Sequence, residues 1–512
     1  MDEVYKLLKD DTEIVEKLDQ GSVIRNFYTD QIIFITDPTS LLGEIIVEKL
    51  LRCCSQLKKL YILFKDTGGM TVQDEMKKYF ESSAFDTLRN KIPDFYDKIV
   101  PIKGNLLAED IALSGNDKND IIDNVNFIIH NASANQFGDT VKSILQLNVL
   151  GTKRILDIAK DCENLKTFVY VSSVYAHCNE IDIKEKLYPC SADLKIIHDM
   201  IAADTENKNG LSKAALEMIL GDYPDAYTFS KAIAEFIIDE CSKKSNFRSV
   251  IFRPSLELPS YKEPIAGWCH KDKGPISGFI GITLGAIHTI WAQDKAIDFI
   301  PSDMCGNALL ASIWDASFTG EKHEEAIVYN YGSSMVKPVT LRKITNLLEN
   351  AASDRPSMKM ICANYTVITK CYWLWFLLNV MIHVVPAAIV DGFSLLRSKE
   401  PTALTSYCEA TRNLESVQYF LNGEWRVHVE KMQQLCDRMS ETDSTLFYCD
   451  IRKFRWEDYA DPFWNGLRVY AIDDPMDSLI EAKQQFYKLR IRHYISLSAV
   501  LIFISYIIIQ FI

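Results

Sequence analysis

The amino-acid sequence predicts an α/β fold: a doubly wound parallel sheet, followed by a mainly helical C-terminal domain and a C-terminal transmembrane helix. Apolar runs of strand length alternate with helix-length segments up to about Thr340, and long amphipathic segments follow. The last 19 residues carry no charge. Alternating strands and helices are typical of βαβ units, whose ligand crevice lies beyond the carboxyl ends of the parallel strands.

The bulk composition is that of a globular protein and excludes several classes. A chain of 512 residues with 48% hydrophobic residues is long enough for two or three domains. The net charge of −13 argues against nucleic-acid binding, which needs a basic face. The 13 cysteines lack CxxC spacing, so neither a metal site nor a disulfide framework is indicated. The acidic amino terminus does not have the order of a signal peptide, and we expect a cytosolic body.

The first βαβ unit is predicted from three consecutive segments. Gln31–Thr36 is a short β-branched strand, the turn ITDPTSLLGE follows, and Leu42–Leu51 has a helical apolar rhythm. The next apolar run, Leu60–Phe64, completes a unit of the expected size. Further strands are predicted at Ile99–Ile102, Asn126–His130, Thr167–Val171 and Val250–Arg253.

The clearest local signal for chemistry is YTFSK, which runs from Tyr227 to Lys231. A spacing of four places the two side chains one turn apart on the same helix face. There the ammonium is expected to lower the pKa of the phenol from about 10. Such a tyrosine can donate a proton to a carbonyl oxygen as hydride arrives. An isolated pair of this kind is usually a surface pair. Here, however, the preceding predicted strand ends in Ser172 and Ser173, which places two hydroxyls at the rim where the ligand crevice is expected.

Longer signatures point to a family. With HNASANQF, LNVLGT and FVYVSSVYA arriving in order before YTFSK, the sequence resembles the extended short-chain dehydrogenase/reductases. It resembles one branch more closely, the fatty acyl-CoA reductases, through RPSLELPSYKEPIAGW, DFIPSDMCGNALL and RKFRWEDY. The resemblance extends from about Ile32 to the predicted terminal anchor, nearly the whole chain.

The resemblance implies a Rossmann-like domain that reduces long-chain acyl-CoA to a fatty alcohol. NADPH would reduce the thioester, CoA would leave, and a second NADPH would reduce the bound aldehyde. Tyr227 would be the proton donor and Lys231 its electrostatic partner. Ser173, which stands where the family usually has threonine, would hold the carbonyl, and Asn148 would belong to a proton relay.

The glycine loop departs from the family pattern, which has glycine at the positions of Asp37, Ser40 and Gly43. The first two serve the tight turn and the approach to the pyrophosphate, and only the third, which serves packing, is kept. Two alternatives follow. The Thr39 and Ser40 hydroxyls replace the lost donors, or Asp37 caps the helix and closes the anion site. The cofactor-binding residues implied are Thr36, Asp37, Thr39, Ser40, Leu41, Leu42, Gly43, Lys65, Asn105, Tyr227 and Lys231.

The residues at the end of the second predicted strand bear on the type of cofactor. Lys65 stands where the family has a basic residue for the 2′-phosphate of NADP, whereas Asp66 would suit the ribose hydroxyls of NAD. Asn105 replaces an aspartate common at the adenine edge and can still hydrogen-bond there. We expect NADPH and no metal.

The terminal segment predicts attachment to a membrane. Tyr494–Ile512 reaches roughly 29 Å as a helix, about one hydrocarbon core, and Lys488, Arg490 and Arg492 precede it on the expected cytosolic flank. We expect a single-pass anchor in the endoplasmic reticulum or peroxisome, with a buried terminal helix as the alternative. The domains predicted are an extension at 1–29, the NAD(P)-binding and catalytic domain at 30–340, a helical domain at 341–487 and the anchor at 494–512.

The sequence is compatible with more than one interpretation at two points. Residues 371–390 are also near membrane length, and we interpret them as a buried or bilayer-facing element rather than a second span. The competing functions are a catalytically silent, membrane-anchored relative that binds acyl-CoA or acts as a scaffold, and an alcohol or sterol dehydrogenase. The sequence does not indicate an oligomeric state.

Overall fold

The structure, a computed structural model, describes most of the chain. Its described residues are 21–511 except 66–67, 135–139, 191–193, 207–210, 272–275, 319–324, 398–399, 406 and 409–417. The chain forms two compact units whose segments interleave along the sequence. Unit 1 comprises Met1–Glu257, Asp298–Lys337 and Trp425–Phe454, and unit 2 comprises Leu258–Ile297, Pro338–Glu424 and Arg455–Ile512.

Unit 1 is built on a seven-stranded sheet in which every pairing is parallel. Its strands are β1 (Ile32–Thr36), β2 (Lys59–Lys65), β3 (Ile99–Gly104), β4 (Phe127–His130), β5 (Thr167–Val171), β6 (Arg248–Pro254) and β7 (Ile327–Tyr331). Their order is β7-β6-β5-β4-β1-β2-β3. The direction of winding therefore reverses between β1 and β4, and in such sheets the ligand crevice lies at that point. The predicted doubly wound α/β fold is confirmed.

Helices cover the sheet because the strands are apolar on both faces, as in Phe34, Ile128 and Phe168, which have no exposed surface. In unit 1 the α-helices are Val23–Phe27, Leu41–Cys53, Val72–Tyr79, Asp86–Lys91, Gly115–Asn124, Val141–Leu145, Thr152–Asp161, Leu194–Glu206, Lys213–Leu220, Ala226–Ser242, Ser302–Ala316, Glu430–Arg438 and Glu441–Leu446.

Unit 2 is mainly helical among its described residues. Its α-helices are Ile276–Thr283, Leu341–Asp354, Tyr372–Asn379, Val385–Leu396, Gln418–Asn422, Trp456–Gly466 and Leu479–Phe511. Short strands across the two units lie at Asp182–Ile183, Leu256–Leu258, Thr289–Trp291, Ala296–Ile297, Phe299–Pro301, Val339–Thr340, Val367–Thr369 and Arg426–Val427.

Two helices of unit 2 bear on the membrane predictions. The wide helical turn Val380–Val384 joins the helices before and after it into one continuous helix, Tyr372–Leu396, which among the described residues is the one long and apolar enough to cross a bilayer. The terminal helix Leu479–Phe511 continues without a break through the predicted anchor. That anchor remains a prediction.

Candidate active site

The loop after β1 keeps the backbone of a glycine loop although it has lost two glycines. Asp37 has a φ of +49°, in the left-handed region that glycine adopts most readily. A Cβ built on Gly43 would lie 2.4 Å from the Asp37 carbonyl oxygen. Gly43 is therefore required where the helix Leu41–Cys53 packs against the loop.

Ser40 caps that helix. Its hydroxyl accepts a hydrogen bond from the Gly43 N–H at 3.0 Å, whereas the Asp37 carboxylate accepts one from the Thr39 hydroxyl at 3.0 Å. The alternative in which Asp37 caps the helix is therefore wrong, because a serine in extended conformation already holds the cap position. Leu41 and Leu42, both buried, form the first turn, where N–H groups have no acceptor within the helix.

Side chains at the end of β4 form hydrogen bonds with the end of β1 and with the loop that follows it. Asn131 donates its amide to the Ser40 hydroxyl at 2.6 Å and to the Asp37 carbonyl at 3.3 Å. The Thr36 hydroxyl lies 2.9 Å from His130 Nδ1 and accepts the Asn131 N–H at 3.2 Å. The loop is thus held at the point where the winding of the sheet reverses.

Tyr227 and Lys231 lie on the helix Ala226–Ser242, one turn apart. Asp225 caps this helix by accepting the Thr228 N–H at 2.8 Å. The Lys231 ammonium donates to the Val171 carbonyl at the end of β5, at 2.9 Å, and is 5.9 Å from the centre of the Tyr227 ring. The pair therefore lies at the carboxyl edge of the sheet.

Burial sets the protonation of both groups. It raises the pKa of Tyr227 to about 12, and hydrogen bonds with Ser133 and Ser173 only partly oppose this. Burial also lowers the pKa of Lys231 to about 7, against the opposing charges of Glu235 and Asp37. The pKa of the phenol therefore lies above its ordinary value and not below it as expected, because loss of solvent outweighs the hydrogen bonds that favour the phenolate. At neutral pH the phenol keeps its proton.

The two other predicted catalytic residues, Ser173 and Asn148, lie on separate elements of unit 1. Ser173 is the second residue after β5. Its hydroxyl accepts a hydrogen bond from the Tyr175 N–H at 3.2 Å. Asn148 lies in the wide helical turn Gln146–Gly151 and is fully buried. Its side chain accepts the Ala134 N–H at 2.8 Å and donates to the Ala134 carbonyl at 3.2 Å. It thus fixes the segment that carries Ser133.

The same chain regions match known proteins. A family model described as male sterility protein matches residues 35–309, more than half of the chain, and a second with the same description matches residues 382–474. Fatty acyl-CoA reductase wat of Drosophila melanogaster is 28% identical over 494 residues, 96% of this chain and 94% of that protein. Fatty acyl-CoA reductase 1 of Homo sapiens is 29% identical over 476 residues, 91% of this chain and 90% of that protein.

This chain belongs to the fatty acyl-CoA reductase family. It is an oxidoreductase that uses a nicotinamide cofactor. Among solved structures it is similar in fold to the reductase domain of a nonribosomal peptide synthetase from Mycobacterium tuberculosis. That similarity has a TM-score of 0.58 and an identity of 14%, and covers 89% of this chain and 95% of the other.

Sequence reasoning missed a buried ionic cluster next to the Tyr227–Lys231 pair. Glu235 accepts hydrogen bonds from Arg253 at 2.6 and 2.8 Å, pairs with His177 at 2.8 Å, and accepts the Ser172 hydroxyl at 2.5 Å. Burial opposes ionisation of Glu235, but Arg253 and His177 hold its pKa well below the usual range. One signal was available, since Tyr227, Lys231 and Glu235 are spaced by four along one helix face.

A second carboxyl group near the site was also missed. Burial raises the pKa of Glu257 to about 7, and Cys305 Sγ lies 3.6 Å from its Oε1. Its charge contributes to the raised pKa of Tyr227. The sequence signal was an acidic residue inside the apolar segment SLEL.

Two further predicted cofactor residues, Lys65 and Asn105, lie at the end of β2 and just after β3, the last two strands in the order of the sheet. Lys65 is exposed at the end of β2, paired with Gly104 of β3. Asn105 follows Gly104, and its side chain accepts the Leu107 N–H at 3.0 Å. Asp66, the alternative partner for NAD, lies outside the described residues.

Proposed function

We propose that this protein reduces long-chain fatty acyl-CoA to a fatty alcohol with NADPH, through a bound aldehyde and with release of CoA, at a membrane surface. The observation that carries the proposal is that the Tyr227 phenol, which keeps its proton at neutral pH, shares a hydrogen bond with Ser173 at the carboxyl edge of the sheet. The relatives named above support the substrate class.

The residues after β1 fit the diphosphate of a dinucleotide. The left-handed Asp37 and the close approach at Gly43 keep the loop tight against the helix, whose first-turn N–H groups suit an anion. Lys65 would hold the 2′-phosphate that distinguishes NADPH from NADH, and Asn105 would lie toward the adenine. When bound, each NADPH would supply one hydride, so the two reductions would need two NADPH in succession.

The side chains supply the proton and fix the carbonyl. Ser173 and Tyr227 donate hydrogen bonds to the carbonyl oxygen, and Tyr227 transfers its proton to that oxygen as it becomes an alkoxide. The Lys231 amine, when it is protonated, stabilises the phenolate that remains after the proton transfer. After the first reduction the C–S bond breaks, CoA departs and the aldehyde stays bound. The second reduction needs the same proton donor.

Membrane attachment is proposed from the terminal helix. Leu479–Phe511 carries the uncharged segment directly after Lys488, Arg490 and Arg492, so one end of the helix is basic and the other apolar. Unit 1 would then face the cytosol, with the anchor in the endoplasmic reticulum or the peroxisome.

The test compares two Tyr→Phe variants of the full-length protein. We expect Tyr227→Phe to lower fatty alcohol formation from palmitoyl-CoA about 10²- to 10⁴-fold, the usual value of a positioned general acid. Tyr223→Phe, four residues earlier and packed against Phe229, should keep the activity. Equal activity of the two variants would contradict the role of Tyr227. Wild-type protein that does not bind millimolar NADPH would favour the silent relative, and oxidation of an alcohol without CoA release would favour a dehydrogenase.

A further inference from the structure

The helix Tyr372–Leu396 of unit 2 has an inverted distribution of polar and apolar side chains. Its buried residues are Asn379 and His383, which are 9% and 8% exposed. Its large apolar side chains face outward instead, and Trp373, at 74%, is among the most exposed. The exposed large hydrophobic residues are Tyr372, Trp373, Leu374, Phe376, Leu377, Met381, Val385, Ile389, Val390, Phe393, Leu395 and Leu396.

Polar contacts attach one side of this helix to unit 2. The Thr289 hydroxyl donates to Asn379 Oδ1 at 3.3 Å, and the His288 N–H donates to His383 Nε2 at 3.2 Å. The ring of Trp291 packs edge-on against Tyr372 with centroids 5.1 Å apart. The strand Thr289–Trp291 therefore covers the polar side, and the apolar side is left outward.

The same strand makes a full crossing of the bilayer unfavourable. It leads directly to Asp294 and Lys295, which pair with Arg342 and Glu424 at 3.5 Å. A helix that crossed the bilayer would carry this strand and its charged neighbours into hydrocarbon, which is costly for ionised groups. A helix lying along the surface would keep them in water.

The chemistry of the outward face matches a lipid layer. Residues 371–390 contain no charged side chain, and Lys370 and Arg397 flank the helix where anionic headgroups would lie. Aromatic rings cluster near its start, as is common at the membrane interface. The single carboxylate, Asp391, accepts the N–H groups of Ala403 and Leu404 at 2.9 Å each. An exposed apolar face of this extent marks an interaction surface.

We infer that Tyr372–Leu396 lies along the bilayer surface with its apolar face among the acyl chains and its polar face on unit 2, without crossing the membrane. The inference rests on the membrane part of the proposed function. It adds a second contact with lipid, separate from the terminal segment, and assigns the occupant of this face as phospholipid rather than a second copy of the chain.

Tryptophan quenching tests the contact with lipid. The full-length protein is bound to phosphatidylcholine–phosphatidylserine vesicles whose acyl chains carry bromine, which quenches nearby indoles. The segment 494–512 contains no tryptophan, so the anchor cannot produce the signal. We expect Trp373→Phe to lower the quenched fraction of the emission, whereas Trp425→Phe, a unit 1 control that removes an unquenched indole, should not lower it. Trp373 is too exposed for its loss to prevent folding. Trp425→Phe keeps an aromatic ring beside Tyr175 and removes the hydrogen bond from the indole N–H to the Cys178 carbonyl.

Two native cysteines test the orientation, since Cys371 and Cys408, on either side of the helix, are both exposed. A membrane-impermeant maleimide added outside the vesicles should modify both, as read by peptide mass spectrometry. If either cysteine is modified only by reagent enclosed within the vesicles, the helix crosses the bilayer and the inference is overturned.

The outcomes separate this inference from the proposed function. Vesicle binding without Trp373 quenching overturns the placement of this helix and leaves the anchor and the enzyme activity intact. Absence of vesicle binding contradicts the membrane part of the proposed function as well. Fatty alcohol formation in detergent reports on the chemistry independently of both.

Discussion

Asp37 places a carboxylate where the diphosphate of a cofactor is expected, so removing its charge should strengthen binding. Two variants are compared. Asp37→Asn keeps a side chain that tolerates a φ of +49°, and Asp37→Gly also removes the backbone strain of that conformation. Two unit charges 4 Å apart repel by about 1 kcal/mol in water and about 4 kcal/mol at an effective dielectric of 20. Asp37 is half-exposed, so we take about 1–2 kcal/mol, or roughly 5- to 30-fold in Kd.

Isothermal titration with NADPH at low and high salt measures this effect. Asp37→Asn should tighten binding by that factor, and the gain should shrink as salt screens the charges. Asp37→Gly should tighten binding equally and in addition raise the free energy of unfolding by about 1 kcal/mol, because glycine adopts the left-handed conformation without strain. Asp120→Asn, at an exposed helix position, should change neither quantity. Unchanged or weaker NADPH binding by Asp37→Asn would refute the reasoning.

Two further variants test the structure around the site. Gly43→Ala should weaken NADPH binding and lower the melting temperature, because its Cβ would meet a backbone carbonyl at 2.4 Å, whereas Gly278→Ala, which has open space, should do neither. Glu235→Gln should lower the free energy of unfolding by about 3–5 kcal/mol, since it leaves the buried Arg253 charge without its partner. The pKa of Glu235 is depressed in the folded state, so its stabilisation is full above about pH 4.3 and is lost as pH falls below that value. Denaturant unfolding should therefore separate wild type from Glu235→Gln at pH 7 and less so in acid.

The sheet was largely predictable because its strands are buried on both faces and read as continuous apolar runs. Thr167–Val171 was predicted with its observed bounds, and the strand predicted at Val250–Arg253 lies within Arg248–Pro254. The seventh strand, Ile327–Tyr331, was not predicted. It is rich in β-branched and aromatic residues, but it lies far along the chain, after the helix Ser302–Ala316, and only the assembled sheet shows its place at the edge beside β6.

The site was less predictable, because its details depend on tertiary structure. The spacing of Tyr227 and Lys231 fixes their helix face, but burial decides their pKa values, and burial is set by the packed sheet. Glu235, Arg253 and His177 come from three separate segments, and no local pattern joins them. The choice of Ser40 as the helix cap likewise depends on a backbone angle at the turn.

The stoichiometry of turnover tests the central claim most directly. Full-length wild-type protein in detergent is supplied with palmitoyl-CoA and NADPH, and NADPH oxidised, thiol released and hexadecanol formed are measured together. We expect two NADPH to be consumed for each CoA released and each alcohol formed. Titrations in which NADPH fails to bind, or in which no thiol appears while it is consumed, would contradict it.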